Sequence, residues 1–318
     1  MFTDLVSFQQ LDSDDVLELM ALADQLKKLQ HEGRPYQPLL GQTIAMIFEK
    51  PSLRTRVTFE VGIMQLGGHA VMLEGRLGER EAVPDVARNL NRWVDGIVAR
   101  TFSHKAIEDM ATYADIPVIN ALSDKLHPCQ ILADAQALRE HKGDLSNLKL
   151  VFVGDGNNVC ASWFEFAALL PLRVTLVCPK GYEVEKDILA FAQQHAKDRV
   201  AITHDLEDGL RDADAVYTDV WTSMGQEEES AKREKAFAPY QVNSRVMGLA
   251  KKDAVFMHCL PAKRGKEVTD DVLDGPQSIV LDQAENRLHA QKAVMVKLLS
   301  RGNHALCPKQ RERRKANG

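Results

Sequence analysis

Short runs of apolar residues alternate with longer amphipathic runs along almost the whole chain. Most short runs are rich in β-branched residues and lack polar alternation, which is typical of strands buried on both faces of a sheet. The predicted strands are residues 43–49, 95–100, 117–121, 148–155, 173–179, 200–204, 215–220, 254–261 and 278–283. Helix-length runs such as residues 129–142 and 184–197 lie between them. This alternation predicts an α/β fold with two doubly wound domains, whose parallel sheets are joined by helices.

The predicted strands fall into two groups, before and after about residue 143. A predicted helix is closed by Gly143, and the polar turn 144–147 then leads into a new strand. We therefore expect one domain over residues 1–143 and a second over residues 144–286. The last apolar helix, roughly residues 285–301, precedes a basic tail. We expect the segment of about 287–318 to pack back on the first domain.

The composition of the 318-residue chain narrows the class of protein. It is 45% hydrophobic and 27% charged, with a net charge of −5. This mildly acidic balance argues against general binding to nucleic acids or membranes. The first residues have no basic start and no apolar run, so we expect no secretory signal. The five cysteines have irregular spacing without a CxxC pair, and we interpret them as reduced thiols of a cytoplasmic protein.

A first candidate site follows the strand 43–49, because ligands of open parallel sheets bind beyond the carboxyl ends of strands. The residues are Ser52, Leu53, Arg54, Thr55 and Arg56. Ser52 is suited to cap the helix that follows, and the free N–H groups of a helix start attract an anion. The two arginines and the Thr55 hydroxyl add donors, which indicates a phosphate site. The alternative is a capped helix whose arginines face water.

A second candidate site combines the end of the strand 95–100 with the start of the next predicted helix. Arg100 ends the strand, and His127 and Gln130 flank Pro128 at the helix start. These donors are suited to a carbonyl oxygen that becomes negative when an amine attacks it. The alternative is a capping histidine beside a surface glutamine.

A third candidate site lies at the ends of the strands 148–155 and 215–220. The turn 154–159 lacks the full GxGxxG pattern and is not predicted to bind a nucleotide. Its asparagines are suited to a carboxylate, and Asp219 is suited to an ammonium group. Residues 221–238 form a long, charged segment, which suggests a mobile loop over the site. For residues 227–238 we favour a solvated loop without a functional role.

The fourth candidate is Cys259, at the carboxyl end of the strand 254–261. A buried cysteine is usually a packing residue. A nucleophilic pair with His258 is not expected, because adjacent residues of a strand point to opposite faces. None of the four candidate sites has the spacing of metal ligands, so we expect neither a metal nor an organic cofactor.

Four short motifs give this chain a resemblance to a known family. They are Ser52-Leu53-Arg54-Thr55-Arg56, His127-Pro128-Cys129-Gln130, Ser223-Met224-Gly225 after Asp219, and His258-Cys259-Leu260-Pro261. Their identity, order and spacing resemble those of the aspartate and ornithine carbamoyltransferase family, over nearly the whole chain. The third and fourth motifs are typical of the members that use ornithine.

The resemblance implies a transferase that moves the carbamoyl group of carbamoyl phosphate to the δ-amine of L-ornithine. L-Citrulline and phosphate would form by direct attack through a tetrahedral intermediate. It also implies a homotrimer, or a multiple of trimers, that serves arginine metabolism and amino-acid biosynthesis.

The resemblance further implies roles for single residues. The phosphate is expected on Ser52, Leu53, Arg54, Thr55 and Arg56, and the carbamoyl group on Arg100, His127, Gln130, Cys259, Leu260 and Arg287. The expected ligands of ornithine are Asn158, Asp219, Ser223, Met224, Cys259 and the carbonyl of Leu260. The expected catalytic residues are Arg100, His127, Gln130, Cys259 and Arg287.

Two positions depart from the family pattern. Leu53 stands where threonine is usual, which removes a hydroxyl donor but keeps the backbone donors. Residues 73–78 form a shorter segment than in many relatives, with Arg76 near the place of a glutamine that reaches a neighbouring subunit.

Two rival functions fit the same fold. The first is transfer to another amine, such as putrescine or an acylated ornithine, and Ser223-Met224-Gly225 argues against it. The second is a catalytically inactive binding protein, which the presence of all the expected side chains disfavours.

Overall fold

The computed structural model describes residues 2–222 and 229–300. Its strands form two sheets, one of four strands and one of five, and neighbouring strands run parallel. The predicted α/β fold with two parallel sheets is confirmed. The strands are β1 Thr43–Phe48, β2 His69–Leu73, β3 Gly96–Arg100, β4 Val118–Leu122, β5 Lys149–Val153, β6 Arg173–Val177, β7 Val200–Thr203, β8 Ala215–Thr218 and β9 Val255–His258.

Helices separate most of these strands, as parallel pairing requires a crossover between neighbours. Within the described ranges the helices are α1 Ser13–His31, α2 Leu53–Gln65, α3 Val83–Leu90, α4 His104–Tyr113, α5 Pro128–Lys142, α6 Asn158–Leu169, α7 Lys186–Ala196, α8 Leu206–Leu210, α9 Ser230–Phe237, α10 Ser244–Met247, α11 Asp270–Leu273 and α12 Val280–Leu299. In the part of the chain that the structure covers, no helix is both long and apolar enough to cross a membrane.

The chain divides into two compact units. Among the described residues, the first unit comprises 2–132 and 286–300, and the second comprises 133–285. The chain thus leaves the first unit within α5 and returns to it within α12. The domain boundaries expected from the sequence, at residues 143 and 286, remain predictions.

The first unit is built on the sheet β2-β1-β3-β4. Its strand β3 is buried at every position, and Ile97 and Ala99 pack with Ala45 and Ile47 of β1 in the core. The chain order reverses between β1 and β3, so this is the switch point of the sheet. Ser52 lies beyond the carboxyl end of β1, and Arg100 is the last residue of β3, at the edge where ligands of open sheets bind.

The second unit is built on the sheet β7-β6-β5-β8-β9. Val151, Val216 and Phe256, from the three strands β5, β8 and β9, lie in one buried cluster. The switch point lies between β5 and β8, whose carboxyl ends lead into the turn at Gly154 and into Asp219. The same topological rule therefore selects a ligand site in each sheet.

Two sequence-based assignments of strands differ from the structure. Strand β2 was not predicted; it is the edge strand of its sheet, and its side chains are exposed or half-buried. The predicted strand 278–283 is wrong, because α12 begins at Val280. Only the short stretch beside Phe256 is extended: Phe256 N–H donates to Gln277 O at 2.7 Å, and Ile279 N–H donates to Phe256 O at 3.0 Å.

The interpretation of residues 227–238 as a solvated loop is wrong for residues 230–237, which form α9. Arg233 and Phe237 of this helix are buried. Because these two buried side chains are four residues apart, one face of α9 packs against the rest of the second unit.

Candidate active site

The start of α2 in the first unit is shaped for an anion. Ser52 caps the helix as predicted, since its Oγ accepts from Thr55 N–H at 3.3 Å. Leu53 is 74% exposed, so its contribution to a ligand here would be its backbone N–H. Free N–H groups and the dipole of a helix start favour negative charge. The Ser52 cap is thus present as predicted, and the start of α2 remains a candidate anion site.

The two arginines of this segment have different surroundings. The Arg56 side chain is 51% exposed, and its Nε donates to Glu60 Oε1 at 3.2 Å, one turn along α2. Arg54 is half-buried. An exposed ion pair contributes little to stability and is screened by salt. A half-buried guanidinium is screened less than an exposed one, so Arg54 is better placed than Arg56 to attract an anion.

Arg287 of α12 joins the two candidate sites of the first unit. It is 2% exposed and donates from Nη2 to Thr55 Oγ1 at 3.0 Å and from Nη1 to Gln130 Oε1 at 2.5 Å. Its Nε donates to Gln291 Oε1 at 3.0 Å. These contacts fix the guanidinium beside both the start of α2 and the start of α5.

Arg100 and His127 complete this group of donors. Arg100 ends β3 beside Phe48 of β1, and both Arg100 and His127 are buried. Burial lowers the pKa of His127 well below its ordinary value, and the positive charges of Arg287 and Arg100 lower it further. The imidazole is therefore neutral at neutral pH. A neutral imidazole beside two arginines is suited to donate to a carbonyl oxygen without adding charge.

The second unit holds a carboxylate where the first holds cations. Asp219 follows β8 and is buried. Its Oδ2 accepts from Asn157 Nδ2 at 2.7 Å, and its Oδ1 accepts from the Cys259 thiol at 3.0 Å. The structure thus brings together Asp219 and Cys259, which the sequence placed in separate candidate sites. A buried carboxylate with neutral hydrogen-bond donors is suited to receive an ammonium group.

Asn157 has a role that sequence reasoning missed. It is the N-cap of α6, and its Oδ1 accepts from Val159 and Cys160 N–H. Its Nδ2 faces Asp219, while Asn158, the residue selected from the sequence, is the first residue of the helix and half-buried. An asparagine that directly precedes a helix is the available signal for such a cap.

Cys259 and His258 contact different partners. His258 Nδ1 accepts from Leu260 N–H at 2.8 Å, and its Nε2 lies 3.3 Å from Glu267 Oε1. Leu260 has a φ of +56°, a left-handed conformation that is costly for a branched side chain. The buried His258–Glu267 pair holds this turn and so sets the direction of the Leu260 carbonyl. Sequence reasoning did not find Glu267, which lies in a polar segment without a motif.

Asp155 and Arg233 form a second unpredicted pair. The Arg233 guanidinium bonds to the Asp155 carboxylate, and its Nε donates to Trp221 O at 2.5 Å. Burial raises the pKa of Asp155 to about 6, although the charge of Arg233 opposes this shift. The pair fixes both α9 and the residues that follow β8. Ser223 and Met224, predicted to bind ornithine, lie outside the described residues.

The first unit therefore offers cationic and neutral donors to an anion next to a carbonyl, and the second offers a carboxylate to an amine. Together with the switch-point positions, this defines an enzyme of two α/β units, one for each of two substrates. Two family descriptions match the chain. "Aspartate/ornithine carbamoyltransferase, carbamoyl-P binding domain" matches residues 3–140, and the "Asp/Orn binding domain" of the same family matches residues 146–298. The chain belongs to the aspartate/ornithine carbamoyltransferase family.

Individual relatives agree with this family. The ornithine carbamoyltransferase of Chlorobaculum tepidum is 52% identical over 303 residues, which cover 93% of this chain and 90% of the relative. The ornithine carbamoyltransferase of Thermococcus kodakarensis is 49% identical over 298 residues, which cover 92% of this chain and 95% of the relative. The solved structure of the Pyrococcus furiosus ornithine carbamoyltransferase has a TM-score of 0.91 and 47% identity, covering 94% of this chain and 98% of that chain.

Proposed function

We propose that this protein transfers the carbamoyl group of carbamoyl phosphate to the δ-amine of L-ornithine, giving L-citrulline and phosphate. The observation that carries the proposal is the buried Arg287, which bonds to Thr55 at the phosphate-shaped helix start and to Gln130. One guanidinium thus adjoins both a site for an anion and a site for a carbonyl. In carbamoyl phosphate, a phosphate and a carbonyl are joined through a single oxygen.

The assigned phosphate ligands are Ser52, Arg54, Thr55 and Arg56, with the backbone of Leu53. Arg54 and the helix start supply the main attraction, because Arg56 is exposed and engaged by Glu60. Arg100, His127, Gln130 and Arg287 hold the carbamoyl oxygen. Their donors stabilise the charge that develops there in the tetrahedral intermediate.

The second substrate is assigned to the group around Asp219. The Asp219 carboxylate receives the α-ammonium group of ornithine, and Asn158 is assigned to its α-carboxylate. Cys259 and the Leu260 carbonyl orient the δ-amine, while Ser223 and Met224 complete the set by the family resemblance. A carboxylate, a thiol and a carbonyl favour an amine at the reacting end, whereas aspartate would bring a second carboxylate towards Asp219.

The reaction balances without a covalent intermediate on the protein. The neutral δ-amine forms a bond to the carbamoyl carbon, and the bond from this carbon to the phosphate oxygen then breaks. The leaving phosphate takes the proton of the amine. Positioning of the two reactants supplies much of the rate, as it converts a bimolecular step into a local one.

The test is a substrate panel with purified protein. Carbamoyl phosphate is combined with L-ornithine, L-aspartate, putrescine or N-acetylornithine, and the carbamoylated product and phosphate are measured. The expected result is equal amounts of citrulline and phosphate from ornithine, with far lower kcat/KM for the other amines. Binding without turnover would support an inactive protein, and efficient use of putrescine would assign a different amine substrate.

We further propose a cytoplasmic homotrimer, or a multiple of trimers, that serves arginine metabolism. The described cysteines Cys129, Cys160, Cys178 and Cys259 form no disulfide bond, as is usual in a reducing compartment. The trimer rests on the family resemblance alone. Light scattering coupled to gel filtration would test it, and a monomer at working concentration would contradict it.

A further inference from the structure

Three side chains that the proposed reaction does not use converge at one edge of the second unit. Cys178 directly follows β6, and His204 directly follows β7, the strand beside it. These strands pair in register through Val177 and Thr203, so both residues leave the sheet at the same level. Glu183 comes from the turn after Cys178. The thiol sulfur, a carboxylate oxygen and a ring nitrogen lie within 4.8 Å of one another.

The orientation of His204 is fixed by the backbone. Its Nδ1 lies 2.8 Å from the carbonyl oxygen of Cys178, which can only accept, so Nδ1 carries the hydrogen. In the neutral ring Nε2 then carries a lone pair. Nε2 lies 3.7 Å from Glu183 Oε1, which is also an acceptor. Two acceptors that face each other at this distance are bridged by a proton, a water molecule or a cation.

Glu183 is also held in place. Its two carboxylate oxygens accept from Gly181 N–H at 3.1 and 3.0 Å. Histidine ligands of metals generally donate their second ring N–H to a carbonyl or carboxylate, and ligating carboxylates are hydrogen-bonded in turn. His204 and Glu183 both have this support, which an ordinary exposed ion pair does not need.

We propose that Cys178, Glu183 and His204 form a binding site for a divalent metal ion of the zinc class. Sulfur, nitrogen and carboxylate oxygen are the donors that zinc takes in tetrahedral sites, with solvent in a fourth position where the protein supplies three ligands. Glu183 and His204 are exposed and leave the site accessible, while the sulfur lies on the buried side.

The site has a structural connection to the assigned ornithine ligands. Gly156 N–H donates to Tyr182 O at 2.8 Å, and a Cβ on Gly156 would lie 2.3 Å from Val184 N. The segment that carries Glu183 therefore packs directly against the turn that precedes Asn157. A metal on Cys178, Glu183 and His204 fixes this segment at the edge of the sheet.

The test is titration of the full-length protein with Co²⁺, which reports a thiolate ligand through a sulfur-to-cobalt charge-transfer band. The background carries Cys307→Ser, because this cysteine lies outside the described residues. The matched comparison is Cys178→Ser against Cys259→Ser, since Asp219, His258 and Cys259 also have ligand atoms within 4.8 Å of one another. We expect the band, and its displacement by Zn²⁺, to persist with Cys259→Ser and to vanish with Cys178→Ser.

His204→Gln provides the second measurement, because an exposed substitution is expected to leave folding intact. Substitution of a residue that hydrogen-bonds to a metal ligand typically weakens metal binding roughly 10- to 100-fold. Loss of the ligand itself should weaken Co²⁺ binding by at least as much. His195→Gln, at an exposed histidine of α7, is the control and should bind as the parent does. The proposal is overturned if the parent shows no thiolate band, if the band survives Cys178→Ser, or if His204→Gln binds Co²⁺ normally.

Discussion

The candidate sites of the two units have the same position in the fold but opposite charge. Each places its candidate site at the switch point of a parallel sheet, yet the first collects Arg54, Arg100 and Arg287, and the second collects Asp219 with Cys259. In the first unit, side chains from α2, α5 and α12 are joined through the buried Arg287. In the second, the groups come directly from strand ends and one helix cap. Charge and not fold therefore distinguishes the two candidate sites.

The largest effect is expected from Arg54→Gln in the first unit. We expect kcat/KM for carbamoyl phosphate to fall roughly 100- to 1000-fold, or about 3 kcal/mol, because one preorganised donor to a developing anion is lost. Arg56→Gln is the matched control, since Arg56 is exposed and engaged by Glu60. Its loss should cost about fivefold or less. Equal losses in the two variants would contradict the assignment of Arg54 as the main phosphate ligand.

The second prediction concerns the pH dependence of kcat/KM for ornithine. We expect it to follow the titration of the substrate amine and not that of His127 in the first unit. Only the neutral δ-amine attacks, and an alkyl ammonium has a pKa near about 10.4, so kcat/KM for ornithine should rise about tenfold per pH unit above neutral. Burial holds the pKa of His127 well below its ordinary value, so its ring stays neutral throughout this range.

The measurement is a profile of kcat/KM for ornithine from pH 6 to 9, with chemistry shown to be rate-limiting. A profile that is flat in this range would contradict attack by the free amine. Because His127 stays neutral in this range, its titration should add no fall to the profile.

The third prediction concerns Cys259 in the second unit. If the thiol orients the amine and does not form a covalent intermediate, Cys259→Ser should reduce kcat/KM for ornithine by about tenfold or less, because a hydroxyl also donates to Asp219 and one such bond contributes roughly 1 kcal/mol. Mass spectrometry of the parent protein mixed with carbamoyl phosphate alone should show no added mass on Cys259. A carbamoylated Cys259 would refute direct attack.

The smallest effect is expected from Glu267→Gln. The amide keeps the acceptor oxygen that faces His258 and Lys263 N–H, removes the charge and replaces the other oxygen with an NH2 group. We expect a loss of about fivefold or less in kcat/KM for ornithine, roughly 1 kcal/mol, because Glu267 acts through the turn at Leu260. Glu267→Ala, which also removes the oxygen, should lose more. Unchanged ornithine kinetics in Glu267→Ala would contradict this positioning role.

Much of the fold could be predicted because buried parallel strands have a clear apolar pattern, as in residues 149–153 and 215–218. The exceptions have physical reasons. The edge strand His69–Leu73 contains the apolar residues 70–73, but its side chains are only partly buried, and it was not predicted as a strand from the sequence. Residues 278–283 have β-branched side chains, but the chain begins a helix at Val280 after a short pairing with Phe256.

The parts of the candidate site that lie in sequence motifs could be predicted. The parts that depend on tertiary contacts could not. Ser52 and Pro128 are signals of helix starts, and the sequence therefore located the groups around them. The contacts of Arg233 with Asp155 and of His258 with Glu267 join residues without a shared motif. Arg233 lies in a charged segment that resembles a solvated surface, and only its burial reveals a partner.

The most direct test of the separation of the two sites is the effect of Asp219→Asn on both substrates. Asparagine keeps the size of the side chain but cannot neutralise an ammonium group. We expect kcat/KM for ornithine to fall about 100-fold, since a hydrogen bond between charged groups contributes up to roughly 3 kcal/mol. The dissociation constant of carbamoyl phosphate, measured by calorimetry, should change less than about twofold. A comparable loss of carbamoyl phosphate binding, or undiminished turnover of ornithine, would contradict the assignment of the amine to the second unit.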